Sequence, residues 1–284
     1  SLIGIMELKN MIKKVGRLDR DDYQLLDSYV EKISKNLDKG NINQAQKLIY
    51  EVANTPNYFV REELGKRLAE YTGTGNLDAI CYEMLEDRFY PIRATALFYF
   101  YYKNQDKPEL IVQTLEKTFE TVPWESETIC SEMWKKYPDV MKEYMPRWAD
   151  SDNPKKRAMS MHGMEYIAAK NPQYVLTFVG RLLDDEDEEV QKKVSHILIQ
   201  VGRQRPLQTF ASIRRWLLDG DEKRANFLWQ ILRRLSSIFS QKNMRDKSQD
   251  FFSIALRTAQ EWKTDSNPAV VQMGNKLAKM IKNQ

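Results

Sequence analysis

Cysteine and histidine are scarce in this chain. It holds only Cys81 and Cys130, which lie far apart, and only His162 and His196. Two cysteines do not make a disulfide framework, and no residue spacing typical of a zinc site is present. We therefore expect a protein without a metal or cofactor that folds in a reduced, cytoplasmic compartment.

Long hydrophobic runs are also missing. The longest one extends from Ala94 to Tyr102 and is interrupted by Thr95. It is far shorter than the roughly 20 apolar residues that a membrane-spanning helix needs. The amino terminus has neither the apolar core nor the cleavage site of a signal peptide. We expect a soluble protein that has no membrane partner.

Glycine and proline are few, with 11 and 10 among 284 residues. Helix-forming residues are abundant, and no long stretch alternates apolar and polar residues as a half-buried strand does. Both observations predict an all-α protein.

A helix start recurs along the chain. Short segments rich in Pro, Asn and Asp open helices near residues 56, 90, 121, 153, 187, 221 and 266. Equivalent positions are about 32 to 34 residues apart, which is the length of a two-helix repeat. We predict a HEAT-like α-α superhelix, a solenoid of antiparallel helix pairs in one domain spanning 1–284. Within it we expect N-terminal helices in 1–55, HEAT-like repeats in 56–239 and a C-terminal capping helix pair in 240–284.

The stretch from Trp148 to Asn171 shows this helix start most clearly. Pro154 suits a first turn, where its missing amide hydrogen would have been unpaired anyway. Four residues before it can accept hydrogen bonds from helix amides, namely Asp150, Ser151, Asp152 and Asn153. A basic helix follows, and its cations oppose the helix dipole. Since the second helices of a solenoid line its concave surface, these cations are candidates for contact with an anionic partner.

Charge is distributed unevenly, although the net charge is only +4. Between residues 201 and 245, ten cations face only three acids, so this segment alone carries +7. The cations are Arg203, Arg205, Arg214, Arg215, Lys223, Arg224, Arg233, Arg234, Lys242 and Arg245. Such a band is typical of nucleic-acid binding, with a solvated helix face as the alternative. The acidic run Asp184–Glu189 predicts a loop that either lies outside such a groove or caps the helix that follows.

Trp124 stands out among the six tryptophans because it lies at a helix start. An indole there can stack on a base or a sugar, and the alternative is core packing. The aromatic residues of the second repeat are expected to pack between repeats. They are Phe98, Phe100, Tyr101 and Tyr102.

Two segments carry a resemblance to a known family. They are the stretch from Trp124 to Cys130 and the stretch from Tyr144 to Ala158, which contains Trp-Ala-Asp-Ser-Asp-Asn followed by Arg-Ala. Both resemble the HEAT-like DNA alkylation repair glycosylases, over about residues 57–235. The resemblance implies a positively charged groove that holds duplex DNA and excises N3- and N7-alkylated purines. It also implies a cleft of two Trp, an Asp that opposes the developing sugar cation, and an Arg that contacts the backbone.

Residue by residue, this set is only partly present. The first Trp matches Trp124 and the Arg matches Arg157, whereas the Asp falls on Thr128 and the second Trp on His196. Glu125 or Glu127 could supply the missing carboxylate, although each points in another direction around the helix. The candidate catalytic residues are therefore Trp124, Glu125, Thr128, Arg157 and His196.

Three interpretations remain open at this point. The chain could bind duplex DNA without excising bases, could be an active alkylpurine glycosylase, or could be a non-enzymatic scaffold for protein partners. We expect a monomer in each case. The candidate DNA-binding residues are Lys155, Lys156, Arg157, Lys192, Lys193, Arg203, Arg205, Arg214, Arg215 and Arg224.

Overall fold

The computed structural model describes residues 2–283, including every side chain except those of Leu2, Ile3, Arg245, Asp246, Ser248 and Gln249. The described chain is 78% helical, with 16 α-helices and no strand. The all-α prediction is confirmed. None of the described helices combines the length and the apolar character that crossing a membrane requires.

The helices cover most of the chain and are joined by short turns. In order they are α1 (Leu2–Lys13), α2 (Arg20–Asp38), α3 (Ile42–Ala53), α4 (Tyr58–Ala69), α5 (Leu77–Leu85), α6 (Tyr90–Lys103), α7 (Pro108–Thr118), α8 (Pro123–Lys136), α9 (Pro138–Ala149), α10 (Pro154–Ser160), α11 (Pro172–Gly180), α12 (Glu188–Gln204), α13 (Pro206–Leu218), α14 (Glu222–Phe239), α15 (Arg245–Lys263) and α16 (Pro268–Lys282). Two 3-10 helices lie at Met164–Ile167 and Lys242–Met244.

Helix starts coincide with capping residues. The side chain of Asp19 accepts a hydrogen bond from the Asp22 amide at the start of α2. Asn57, Asp187 and Asn267 cap α4, α12 and α16 in the same way. These side chains satisfy amides that have no partner within the helix, so the starts were readable from the sequence.

The helices pack into two compact units, the N-terminal unit (Ser1–Ile129) and the C-terminal unit (Cys130–Gln284). In the N-terminal unit α4 packs on α6 at Gly65, where a Cβ atom would lie 2.6 Å from the Cβ of Phe98. In the C-terminal unit α10, α12, α14 and α16 pack in succession, as do α11, α13 and α15. The superhelix and the single-domain organisation stay predictions.

Large side chains fill the interior of each unit. Of the four aromatic residues predicted to pack, Phe98, Phe100 and Tyr101 on α6 are buried in the N-terminal unit and Tyr102 is half-buried. Trp134 and Trp148 are fully buried in the C-terminal unit. The helices of each unit are therefore held by apolar burial, which is the main favourable term in folding.

The basic helix that begins at Pro154 is short. α10 ends at Ser160, and a turn and a 3-10 helix continue the chain to Ile167. The break falls at Gly163, whose φ of 87° is the left-handed conformation that glycine adopts without steric cost. Gly163 also approaches the backbone of Ser131 so closely that a Cβ atom would clash with it. A glycine demanded by this close approach ends the helix.

Candidate nucleic-acid interface

Trp124 lies in the first turn of α8 and points into solvent. Its side chain is 73% exposed, whereas the other five tryptophans are buried or half-buried. Its backbone amide donates to the Tyr90 hydroxyl at 3.2 Å, and the two rings have their centroids 5.8 Å apart. The backbone of Trp124 is therefore held in place, while the outer face of its indole is open to solvent. Stacking on a nucleobase or a sugar requires such an open face.

Glu125, the next residue, is fully buried. Its Oε1 accepts from Arg61 Nη2 at 2.6 Å, and its Oε2 accepts from the Tyr90 hydroxyl at 2.5 Å. Arg61 is itself buried and also donates to the Thr55 carbonyl at 3.1 Å. Burial, followed by the hydrogen bond to Glu125, raises the pKa of Tyr90. This carboxylate joins α4, α6 and α8 from inside the unit, which is a structural role.

Thr128 lies one turn after Trp124 and is exposed. Its hydroxyl donates to the Trp124 carbonyl at 3.3 Å. Nearby, burial and then the charge of Glu62 raise the pKa of Tyr58 to about 12, despite an opposing hydrogen bond with Thr128. Thr128 carries no charge, so this position offers polar contact and hydrogen bonding only. Glu127 is half-buried and lies about 100° around the helix from Thr128.

Arg157 lies in α10, whose start is capped by Asn153 through the Lys155 amide at 3.0 Å. Its guanidinium donates twice to Asp185, from Nε at 2.8 Å and from Nη2 at 3.1 Å. It also donates to the Ser151 carbonyl at 3.0 Å. The bond to Asp185 raises the pKa of Arg157 above its already high value. Arg157, to which the resemblance assigns contact with the DNA backbone, is thus engaged in a bidentate internal ion pair.

The recurring arginine has a common structural task. In three helices the guanidinium reaches back to the carbonyl oxygen six residues earlier, which ties the helix start to the turn before it. The pairs are Arg61 with Thr55, Arg93 with Asp87, and Arg157 with Ser151. Recurrence of this residue therefore follows from the turn geometry and does not by itself indicate a ligand.

Three acids of the run before α12, Asp184, Asp185 and Asp187, form hydrogen bonds within the C-terminal unit. Asp187 caps α12 by accepting from the amides of Glu189 and Val190, so the capping alternative is confirmed. Asp184 accepts from Arg224 at 2.5 and 3.0 Å, and Asp185 accepts from Arg157. The hydrogen bond from Arg224 lowers the pKa of Asp184 despite partial burial. These two ion pairs connect the loop to Arg157 of α10 and to Arg224 of α14.

The candidate DNA-binding cations differ in how open they are. Lys155, Lys192, Arg203, Arg205 and Arg215 are exposed. The others are half-buried, namely Lys156, Arg157, Lys193, Arg214 and Arg224. Among these, Arg214 pairs with Asp265 at 2.7 Å and Arg224 pairs with Asp184, while Lys156 lies over the Trp148 ring at 5.0 Å. Lys192, 74% exposed and only 3.9 Å from Glu189, is the most accessible ammonium of α12.

His196 lies on α12 and is 53% exposed. Its Nε2 is 3.8 Å from Glu165 Oε1, and Lys193 on the same helix contacts Nδ1 of His162. Burial would raise the pKa of Glu165, but the bond with His196 and a backbone hydrogen bond outweigh it and lower that pKa. Both histidines line one cavity of about 400 Å³.

Sequence reasoning missed Tyr90, Arg61 and His162. A signal for Tyr90 existed, since an aromatic residue recurs at the starts of α4, α6 and α8 as Tyr58, Tyr90 and Trp124. The partnership of Arg61 with Glu125 had no sequence signal, because the two residues are 64 positions apart.

Comparison with known proteins places these features in a family. The described residues contain no group of three or more His, Cys, Asp or Glu that could hold a metal ion. Comparison with the curated proteins finds no match. A family model described as DNA alkylation repair enzyme matches residues 60–224, more than half of the chain, and includes Trp124, Arg157 and His196. The family points to a function related to DNA repair. The chain belongs to the DNA alkylation repair enzyme family.

Proposed function

We propose that this protein binds the backbone of duplex DNA and does not excise bases. The observation that carries the proposal is the state of the α8 start. Trp124 is 73% exposed, while its neighbour Glu125 is buried and bonded at both carboxylate oxygens. A stacking surface is therefore available without an open carboxylate at Glu125 to oppose positive charge.

Base excision needs that negative charge. As the bond to an alkylated purine breaks, the sugar becomes an oxocarbenium ion, and a fixed carboxylate stabilises it electrostatically. Thr128 stands where the family's Asp falls and has no charge to offer. Releasing Glu125 from Arg61 would leave a buried guanidinium without its partner, which costs about 3–5 kcal/mol. These features favour binding over catalysis.

Exposed cations supply the affinity in this proposal. Lys155, Lys192 and Arg215 project from α10, α12 and α13 of the C-terminal unit. Ammonium and guanidinium groups that neutralise phosphates release condensed counterions, and this gives affinity without sequence preference. Arg157 stays paired with Asp185 and supports the helix start. The candidate role of His196 is contact with DNA and not proton transfer.

Parts of the two surfaces considered for the scaffold interpretation are engaged within the protein. Asp184 and Asp185 of the acidic loop are bonded within the C-terminal unit. The aromatic side chains Phe98, Phe100 and Tyr101 are buried. The buried aromatic side chains cannot form a contact surface for a protein partner, whereas Glu186, Glu188 and Glu189 of the acidic loop stay exposed.

Two measurements test the proposal. Fluorescence anisotropy with a labelled duplex, over about 50–200 mM salt, should show affinity falling steeply and linearly on a log–log plot. A duplex containing N7-methylguanine should show no base release above the uncatalysed rate. Absence of duplex binding, or binding that does not respond to salt, would overturn the DNA-binding claim. Base release abolished by Glu127→Gln would establish the glycosylase alternative instead.

A further inference from the structure

We propose that the cavity holding both histidines is a phosphate-binding site that closes on a DNA backbone phosphate when the imidazoles are protonated. The inference rests on the proposed DNA binding and assigns a ligand and a pH dependence to one part of it. His162, Lys193 and His196 are the residues that would hold the phosphate.

The geometry brings these side chains together from separate segments. His162 lies in the turn after α10, Glu165 in the following 3-10 helix, and Lys193 and His196 on adjoining turns of α12. The cavity they line has a volume of about 400 Å³, enough for a phosphate group. His196 also borders an adjoining cleft of about 700 Å³, whose charged lining residues are Glu188, Lys192 and Arg234. A nucleic-acid backbone entering the cavity would therefore continue past Lys192, which both spaces share, and one further cation, Arg234.

Charges around the cavity nearly cancel at neutral pH. The charged residues that line it are Glu165, Glu189, Lys192 and Lys193. On the α8 side, Ser131 lies against Gly163, and Glu132 pairs with Lys135 at 3.3 Å. Glu188 of α12 and Arg234 of α14, which have opposite charges, line only the adjoining cleft. Two lysines offset two glutamates, so the two imidazoles decide whether the cavity is neutral or positive.

Protonation also changes the bonding of Lys193. Its ammonium now contacts Nδ1 of His162, which can accept that bond only in the unprotonated state. A protonated His162 repels the ammonium, and the two cations then need an anion between them. His196 has the opposite response, because its protonated ring is drawn to Glu165, 3.8 Å away. Burial raises the pKa of the Glu165 carboxyl, and both imidazoles lie close enough to act against this and lower that pKa.

Affinity for DNA is therefore expected to depend on protonation of the two imidazoles. A free imidazole has a pKa of about 6.5, and a phosphate beside it favours the charged form. Each imidazole pKa raised by one unit on binding makes DNA binding up to about tenfold tighter below the shifted range. DNA phosphates do not titrate between about pH 6 and pH 8, and histidine is the side chain whose ordinary pKa lies in or near that range. The change in affinity therefore reports on these residues.

The test uses the full chain, a labelled duplex and two readouts at constant ionic strength. Anisotropy should give affinity about tenfold tighter at pH 6 than at pH 8, and the double variant His162→Gln/His196→Gln should lose most of that difference. Proton NMR of the wild-type chain, which has only two histidines, should show both imidazole titration midpoints moving up when the duplex is added. The NMR readout needs no variant and is independent of any folding defect.

The outcomes separate this inference from the proposal beneath it. Salt-dependent duplex binding that is equal at both pH values, with unmoved imidazole midpoints, overturns the histidine site and leaves DNA binding intact. No duplex binding at either pH overturns both. A pH dependence that persists in the double variant also contradicts the site, because the proton would then bind elsewhere.

Discussion

The start of α8, in the N-terminal unit, and the short helix α10, in the C-terminal unit, each contribute one residue to an ion pair and carry an exposed residue nearby. In α8 the pair is Glu125 with Arg61, whose side chains are only 1% and 7% exposed. In α10 the pair is Arg157 with Asp185, at 20% and 9%. Trp124 is the open neighbour in α8, and Lys155 is the open neighbour in α10.

The difference lies in what each start offers to a ligand. At α8 the charge is sealed inside, and the surface presents an aromatic face. At α10 the ion pair is partly exposed to solvent, and the surface presents the ammonium group of Lys155. In both, a charged candidate catalytic residue, Glu125 or Arg157, is held in an internal ion pair, and an exposed residue one or two positions earlier remains available for contact. Variants that separate these two roles test the comparison.

Breaking the sealed pair should have the largest effect. Glu125→Ala leaves Arg61 buried without a counter-charge, so we expect the N-terminal unit to lose about 3–5 kcal/mol of stability. Glu125→Gln keeps hydrogen-bonding capacity and should lose less. Hydrogen exchange of the α4, α6 and α8 amides, together with urea unfolding, measures the loss. A loss below about 1 kcal/mol in Glu125→Ala would show that the pair is not structural.

Removing the exposed indole of Trp124 should have the opposite effect, because it should lower DNA affinity and leave stability almost unchanged. Trp124→Ala deletes a side chain that is 73% exposed, so stability should change by no more than about 0.5 kcal/mol. Duplex affinity should fall by about 1–3 kcal/mol if the indole stacks on DNA. Trp124→Phe should restore part of that affinity. Unchanged affinity in Trp124→Ala would remove α8 from the interface.

Breaking the partly exposed ion pair of Arg157 with Asp185 should have a smaller effect on stability, and that effect should depend on pH. Burial would raise the pKa of Asp185, but the hydrogen bond from Arg157 outweighs it and lowers the pKa. Its stabilisation is therefore present above the unfolded pKa of about 3.9 and is lost as pH falls through the lower folded pKa. Asp185→Asn should cost about 1 kcal/mol at neutral pH, discounted for exposure, and should flatten the acid limb of the stability profile.

Thermal or urea unfolding between about pH 2 and pH 7 checks this prediction. The matched control is Asp150→Asn, because Asp150 pairs with Arg181 at 2.7 Å but its side chain is 69% exposed. That variant should leave the acid limb almost unchanged. Equal effects of the two variants would mean that burial does not distinguish the pairs.

The sequence predicted helix starts better than side-chain partners. Asp19, Asn57, Asp187 and Asn267 act on amides two or three residues away, so their task is visible in the local sequence. The early end of α10 was hidden, because the need for glycine at Gly163 comes from Ser131 in another helix. The sequence shows a glycine within a helical pattern, but it does not show that the backbone of Ser131 leaves room only for glycine at this position.

The candidate site shows the same limit. Helical periodicity gives the direction of a residue around its own helix, but not which distant residue it meets. The position of Glu125 beside Trp124 is visible in the sequence, but its bonds to Arg61 and Tyr90 on two other helices are not. The exposure of Trp124 does not follow from the sequence either, since indoles at helix starts occur both in cores and on surfaces.

The most direct test of the central claim is the salt dependence of duplex binding in two variants. Lys155→Ala/Lys192→Ala removes the open cations of α10 and α12, and Lys170→Ala removes an exposed lysine before α11 as the matched control. If the open lysines contact phosphates, the double variant should bind more weakly, with a log–log salt slope shallower by about 2. The control should keep the wild-type slope. A double variant with the wild-type slope and affinity would contradict the assignment of these side chains to DNA.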